Sequence, residues 1–271
     1  MIKLLKFNIQ YIIRKKEFYF SILAILLINI LHAFLVIQTI SNQNGYIDST
    51  YSAEYQMILY NPLITFNIVI VIIFPIICSI IFSDSNFIEN KYKISNILFT
   101  RVNYKKNIII RTFLSFILPF IICFLGFTLN YLLLSVIFNN GNILTYFQSL
   151  PFDLIGNEEF FLDNIRLANP VLFIFLLNIV ESSIIGLLSV FAYSISFFIK
   201  QKVIIYLSPL LYLIISMLIL SLFRLEDFSL ITLMQQFSKY SIFDLLFSIL
   251  LLIIPIVLLI KKIIKNKDLL I

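Results

Sequence analysis

Tryptophan is missing from this chain, and glycine, histidine and cysteine are nearly so, with 5 Gly, 1 His and 2 Cys among 271 residues. The glycines stand apart from one another, at positions 45, 126, 141, 156 and 186. No Gly-x-x-x-x-Gly-Lys loop is there to cradle a triphosphate, so the chain is not an ATPase of that kind. One histidine cannot build a multi-histidine zinc centre, and His32 lies deep in an apolar run, where no serine and acid complete a hydrolytic triad. Cys78 and Cys123 also fall in apolar runs with no second ligand at metal spacing, which predicts buried free thiols. Charge is scarce as well: Asp, Glu, Lys and Arg supply 13% of the residues, against about 25% in a soluble domain. The longest polar stretch, Asn139 to Asn169, has 31 residues, too few to bury a core of its own.

What the chain has instead is apolar sequence, 61% of it, with a mean hydropathy of +1.04. That composition predicts an all-α integral membrane protein, a single polytopic domain over residues 1–271. The apolar runs place six transmembrane helices at about 18–40, 62–82, 112–138, 170–199, 203–223 and 242–260. Pro62 and Pro170 suit first turns, and Pro75 is expected to kink the second span. Before the first span, over residues 1–17, Ile2, Leu5, Ile9 and Ile12 share one helical face while Lys3, Lys6, Gln10 and Arg14 share another. Such a helix lies flat in the membrane interface. The apolar run that follows the N-terminal basic residues is too long for a cleaved signal and no small-residue cleavage site follows it, so it is expected to stay as an anchor. Short helices are expected in the loop before Asn169 and around Leu230, Leu233 and Phe237.

The net charge of +6 sits at the ends of the spans, so it reads as membrane orientation and not as nucleic-acid binding. An even number of spans puts both termini on one side, and 17 of the 20 Lys and Arg fall there. Acidic residues run the other way, 4 against 8, with Glu181 and Asp244 left within spans. The positive-inside rule then makes both termini cytoplasmic. Abundant Ile, Lys, Asn and Phe with little Ala or Gly fit an AT-rich bacterial genome, hence a bacterial cytoplasmic membrane.

On that side the one long polar interruption is Asp84 to Arg111. Helical spacing sets Asn86, Glu89, Lys93, Asn96 and Thr100 on one face and Phe87, Ile94 and Leu98 on another. Glu89 precedes Lys93 by four residues, the favourable order for an intrahelical pair. Arg101, Lys105, Lys106 and Arg111 follow as a basic cluster suited to anionic headgroups.

The wording from Glu89 to Arg111 resembles the first cytosolic loop of the type 2 ATP-binding cassette exporter permeases. The matching residues are the acid Glu89, the step Leu98, Thr100 and Arg101, and the basic run Lys105 and Lys106. Tyr92 and Val102 depart from the Gly or Thr and the Pro usual in that family. A second similar stretch is Phe191 to Pro209, with Ser194, Ser196, Lys200, Lys202, Ser208 and Pro209. The resemblance implies a permease subunit working with two copies of a separate ATPase subunit and a second permease, identical or a sister. ATP and Mg would be held by the ATPase, with no cofactor in this chain. The helix from Asn86 to Thr100 would couple to the ATPase through Asn86, Glu89, Lys93, Asn96, Thr100 and Arg101, and the turn through Lys200 and Lys202. The cargo expected from the Phe-rich spans, 29 Phe in all, is amphipathic or hydrophobic.

Polar residues inside spans are costly and often functional. Glu181 leads them, with Ser182, Ser183 and Gly186 on a face suited to close helix packing; His32 and Asn130 follow, and Asp244 stands at the outer end of the sixth span. They leave two rivals: a secondary transporter or channel using Glu181 and His32, and a membrane scaffold or immunity factor. The pair Glu158 and Glu159 resembles the acidic pair of intramembrane CAAX-type proteases, but Asp163 stands where those have Arg and their histidines are missing. An enzyme is not expected.

Overall fold

The structure is a computed structural model that describes residues 2–44, 64–91, 104–137, 162–234 and 241–265. Among them every regular element is helical. In chain order they are α1 (Ile2–Ile13), α2 (Lys16–Asn44), α3 (Ile64–Phe82), α4 (Ser85–Lys91), α5 (Tyr104–Ile137), α6 (Asp163–Ala168), α7 (Pro170–Ile195), α8 (Lys202–Leu222), a 3-10 turn (Glu226–Phe228), α9 (Leu230–Leu233) and α10 (Ile242–Lys265). Six of these, α2, α3, α5, α7, α8 and α10, are long and apolar enough to cross a membrane.

Two elements form the centre of the bundle. α7 packs against α3, α5, α8 and α10, and α2 packs onto α3 and α5. The apolar stretch of α3 is 72% buried against 22% for that of α10, so α3 is an inner helix and α10 a peripheral one. Phe74, Phe82, Phe127, Leu134 and Tyr193 fill the inside, while Phe34, Leu218, Phe243 and Leu258 point outward, where only lipid tails suit them. Two glycines set the closest approaches. A Cβ on Gly126 of α5 would meet Asn29 Nδ2 at 2.8 Å and Ile25 Cγ2 at 2.9 Å on α2, and one on Gly186 of α7 would meet the Phe116 carbonyl of α5 at 3.0 Å. At Gly186, then, α7 packs closely on α5.

Boundaries differ from the expected ones where polar residues carry a helix onward. α5 starts at Tyr104 and not near Thr112, because Asn107 and Arg111 find partners inside the protein. Its 34 residues give a length of about 51 Å, against a hydrocarbon core of about 30 Å. α10 likewise continues past Ile260 through Lys265, as lysines at a helix end reach back to water. Pro170 does open α7, with Asn169 as its N-cap accepting from the Leu172 amide at 3.1 Å.

Prolines stand within α3, α5, α8 and α10 without ending them. A proline frees the carbonyl four residues earlier, which needs another donor in lipid. For Pro209 that carbonyl is Ile205, taken by Ser208 Oγ at 2.7 Å; for Pro255 it is Leu251, taken by Tyr212 Oη of α8 at 3.0 Å. At the far end, α6 stands before α7, and α9 tucks Leu230, Leu233 and Met234 against the core. Phe237, expected in the same short helix, lies outside the described residues. Between α8 and the 3-10 turn, Arg224 adopts φ 58°, a left-handed position that glycine usually fills, and closes the end of α8 with its amide on Ser221.

Candidate functional site

At the end of the bundle where α1 lies, six charged side chains come together, four of them nearly enclosed and two, Glu17 and Lys202, at the half-exposed rim. Arg111 of α5 grips Glu89 of α4 with both terminal nitrogens, Nη1 to Oε2 at 2.7 Å and Nη2 to Oε1 at 2.6 Å, and each residue is only 4% exposed. Arg111 Nε donates to Asn8 Oδ1 of α1 at 3.0 Å, and Asn8 Nδ2 reaches Asn107 Oδ1 at 3.3 Å. A planar guanidinium suits such a fork, and every donor used here replaces lost hydration.

The second centre is Asp84, fully buried in the turn between α3 and α4. Its Oδ1 takes Lys15 at 2.8 Å, and its Oδ2 takes Tyr206 Oη of α8 at 2.9 Å and Lys202 at 3.1 Å. Lys202 also lies 3.6 Å from Glu17 of α2. Three carboxylates thus meet three cations and the set neutralises itself. Tyr11 of α1 stands beside both centres, with Lys15 Nζ 5.0 Å above its ring. Its hydroxyl is pushed up to about 12, first by burial and then by the carboxylates of Glu89 and Asp84. The result is a clamp that ties α1, α2, α4, α5 and α8 together at one end, with Asp84 holding the base of α3.

This arrangement changes the expected roles of several residues. Glu89 was expected to pair with Lys93 on the polar face of the helix; the structure buries it in a bidentate fork with Arg111, 22 residues further on. Asn86 is buried too, its Nδ2 3.4 Å from the Ser196 carbonyl at the end of α7. Lys202 turns inward to Asp84 and Glu17, and Lys200 is exposed. Ser194, Ser196 and Ser208 are buried and bond to carbonyls of their own segments. Lys93, Asn96, Thr100 and Arg101 lie outside the described residues, as does the helix expected to run on from Lys91 to Thr100.

Nearer the middle of the bundle, His32 Nδ1 of α2 meets the Asn130 amide of α5, with Nδ2 at 2.9 Å. Glu181 of α7 is buried, and its Oε2 has no hydrogen-bond partner among the described residues. Asn178 and Ser182, three residues before it and one after, also carry buried side chains without such partners. Cys78 and Cys123 are buried free thiols with their sulfurs 3.3 Å apart. Asp244 is used locally: its Oδ2 accepts from the Ser241 amide at 2.7 Å and Ser241 Oγ accepts from the Asp244 amide at 3.3 Å, a reciprocal cap on α10. No group of three or more metal-ligating side chains occurs among the described residues.

Sequence reading passed over Asn8, Asp84, Arg111 and Asn178 as site residues. Asn8 does break the apolar face of α1, and Asp84 is a rare acid within a basic belt, so a signal for these two was there; Arg111 stood as one of several basic residues. No family model matches the chain, and no curated protein or solved structure is similar to it at a significant level.

Proposed function

We propose that the chain is the membrane-spanning subunit of an ATP-binding cassette exporter of the type 2 permease kind, sitting in a bacterial cytoplasmic membrane with both termini in the cytoplasm. The clamp is the observation that carries this reading. The segment 92–103 leaves α4 and enters α5, and those two helices are joined by the Glu89–Arg111 pair. A partner engaging that segment acts on both at once. Through Asn8, Lys15, Asp84 and Lys202 the same push reaches α1, α2 and α8, so the spans move as bodies and not one by one. In this reading α1 lies in the membrane interface, and the partner is a separate ATPase that carries ATP and Mg. Two copies of it serve two permease subunits.

Contact with the ATPase falls to residues that the clamp leaves out, Arg101 within the connecting segment and Lys200 on the neighbouring turn. Glu89 and Lys202 transmit force from inside. The cargo is an amphipathic or hydrophobic compound, because the interior offers aromatic and aliphatic surface with few polar groups.

The test is copurification of the full chain with an ATP-binding cassette ATPase from its own cells, followed by hydrolysis assays in nanodiscs. The paired variant Arg101→Glu with Lys200→Glu should lose ATPase association while keeping its melting temperature. Hydrophobic peptides or amphiphiles should stimulate hydrolysis, and sugars should not. Failure of any ATPase to copurify with the wild-type chain would sink the reading. The unpartnered face of Asn178, Glu181 and Ser182 favours a second reading, a secondary transporter with Glu181 as its ion-binding group. Against it, His32 is engaged by Asn130 and Asp244 caps its own helix.

A further inference from the structure

Between α5 and α10, with α7 as its floor, lies an apolar groove of about 420 Å³. Ile109 and Phe113 form one wall, Ile253 and Ile260 the other, and Val190 lies in the floor; Thr112 is the single polar lining residue. An apolar slot on the flank of a membrane bundle is ordinary lipid-facing surface. The end of this one is not ordinary.

Lys105 and Lys106 precede Ile109 by four and three residues, so they continue the same face of α5 one turn further out, and both are exposed. Tyr104 Oη donates to the Ile263 carbonyl at 3.0 Å, which fastens the start of α5 to the last turn of α10. That last turn carries Lys261, Lys262 and Lys265, also exposed, with Lys262 Nζ 5.3 Å above the Phe198 ring. α5 contains no acidic residue, and the one acid of α10, Asp244, stands in its first turn at the opposite end. Glu89, the nearby acid of α4, is already neutralised by Arg111. The groove therefore runs from hydrocarbon depth to Lys105 and the last lysines of α10, whose own helices hold no acid near them.

We infer that this groove binds an anionic phospholipid from the leaflet on the side of the termini, with one acyl chain along Ile109, Phe113 and Ile253 and the phosphate among Lys105, Lys261, Lys262 and Lys265. A zwitterionic lipid fills the slot equally well with its tail, so discrimination comes from the headgroup charge alone. A hydrophobic cargo in the slot would show no headgroup preference. The inference does not depend on the exporter reading.

The absence of tryptophan supplies a clean reporter. Phe113→Trp places a single indole at the groove, and Leu218→Trp places one on the outward face of α8, where no lysine follows. Each full-length variant is reconstituted in phosphatidylcholine vesicles containing brominated phosphatidylglycerol or brominated phosphatidylcholine at equal mole fraction. At Phe113→Trp the anionic lipid should associate about five-fold more strongly, as one lysine at the surface would produce, with near parity at Leu218→Trp. Adding Lys105→Gln, Lys261→Gln, Lys262→Gln and Lys265→Gln should bring Phe113→Trp close to parity, whereas arginine at the same four positions should keep the preference and so separate loss of charge from loss of fold. Parity at Phe113→Trp, an equal preference at Leu218→Trp, or a preference that survives all four glutamines would each overturn the inference. So would weak quenching by both lipids at Phe113→Trp, which would reserve the groove for another occupant.

Discussion

Arg111 illustrates how little of a buried charge is visible along the chain. Its carboxylate partner lies 22 residues earlier, and both are enclosed by α1, α4 and α5. Removing one member leaves the other charged, desolvated and unpaired, a loss of about 3–5 kcal/mol. Glu89→Gln and Arg111→Gln should each lower the melting temperature and yield of the purified chain markedly, whereas Glu89→Leu combined with Arg111→Met should recover most of the loss. Equal stability of the single variants and wild type would show that the pair contributes nothing. The same burial explains why local spacing misled. Sequence displays the i to i+4 neighbour, Lys93, but not the fold that brings Arg111 alongside. Glu181 was legible because any carboxylate in an apolar run stands out, whereas nothing along the chain marks its neighbour Asn178 as sharing its buried face.

At the scale of elements, the six spans were legible because lipid leaves the backbone few options: an apolar run of sufficient length must close its own hydrogen bonds as a helix. Their ends were not legible. Tyr104 to Arg111 reads as a polar loop, yet it is helical because its polar residues are satisfied by α1 and α4. The prolines show the same dependence on neighbours. Pro255 strips the Leu251 carbonyl of its helical donor, and Tyr212 of α8 replaces it. Tyr212→Phe should then cost about 1–3 kcal/mol by leaving that carbonyl without a donor, and should loosen α10 from α8. Hydrogen exchange across α10 would show it, and unchanged protection would place the donor elsewhere. Close helix contact gives a second expectation. Gly186→Ala sets a methyl 3.0 Å from a backbone carbonyl of α5 that has no freedom to swing away, so α7 and α5 must part. A loss of about 1–3 kcal/mol in detergent denaturation is expected, the cost typical of overpacking.

For the whole molecule, the end of the bundle that meets the cytoplasm decides which partners can reach the clamp. Six spanning helices place α1 and the end of α10 on one side, together with the clamp and the α7 to α8 turn. That side carries 17 of the 20 basic residues, and loops rich in Lys and Arg resist translocation. Exposed positions at both ends allow a direct check in a background with Cys78→Ala and Cys123→Ala. Asn164→Cys and Asp227→Cys should react with a membrane-impermeant maleimide on intact cells, and Lys200→Cys and Lys265→Cys only after permeabilisation. Each lysine change removes one basic residue from a large excess, so orientation itself should be unaffected. Reaction of Lys200→Cys without Lys265→Cys on intact cells would break the six-span order. Reversal of all four would keep the order but turn the clamp away from cytoplasmic ATP. An ATPase could then not reach the segment between α4 and α5, and the exporter reading would fall, while the groove and its lysines would still choose an anionic lipid from the opposite leaflet.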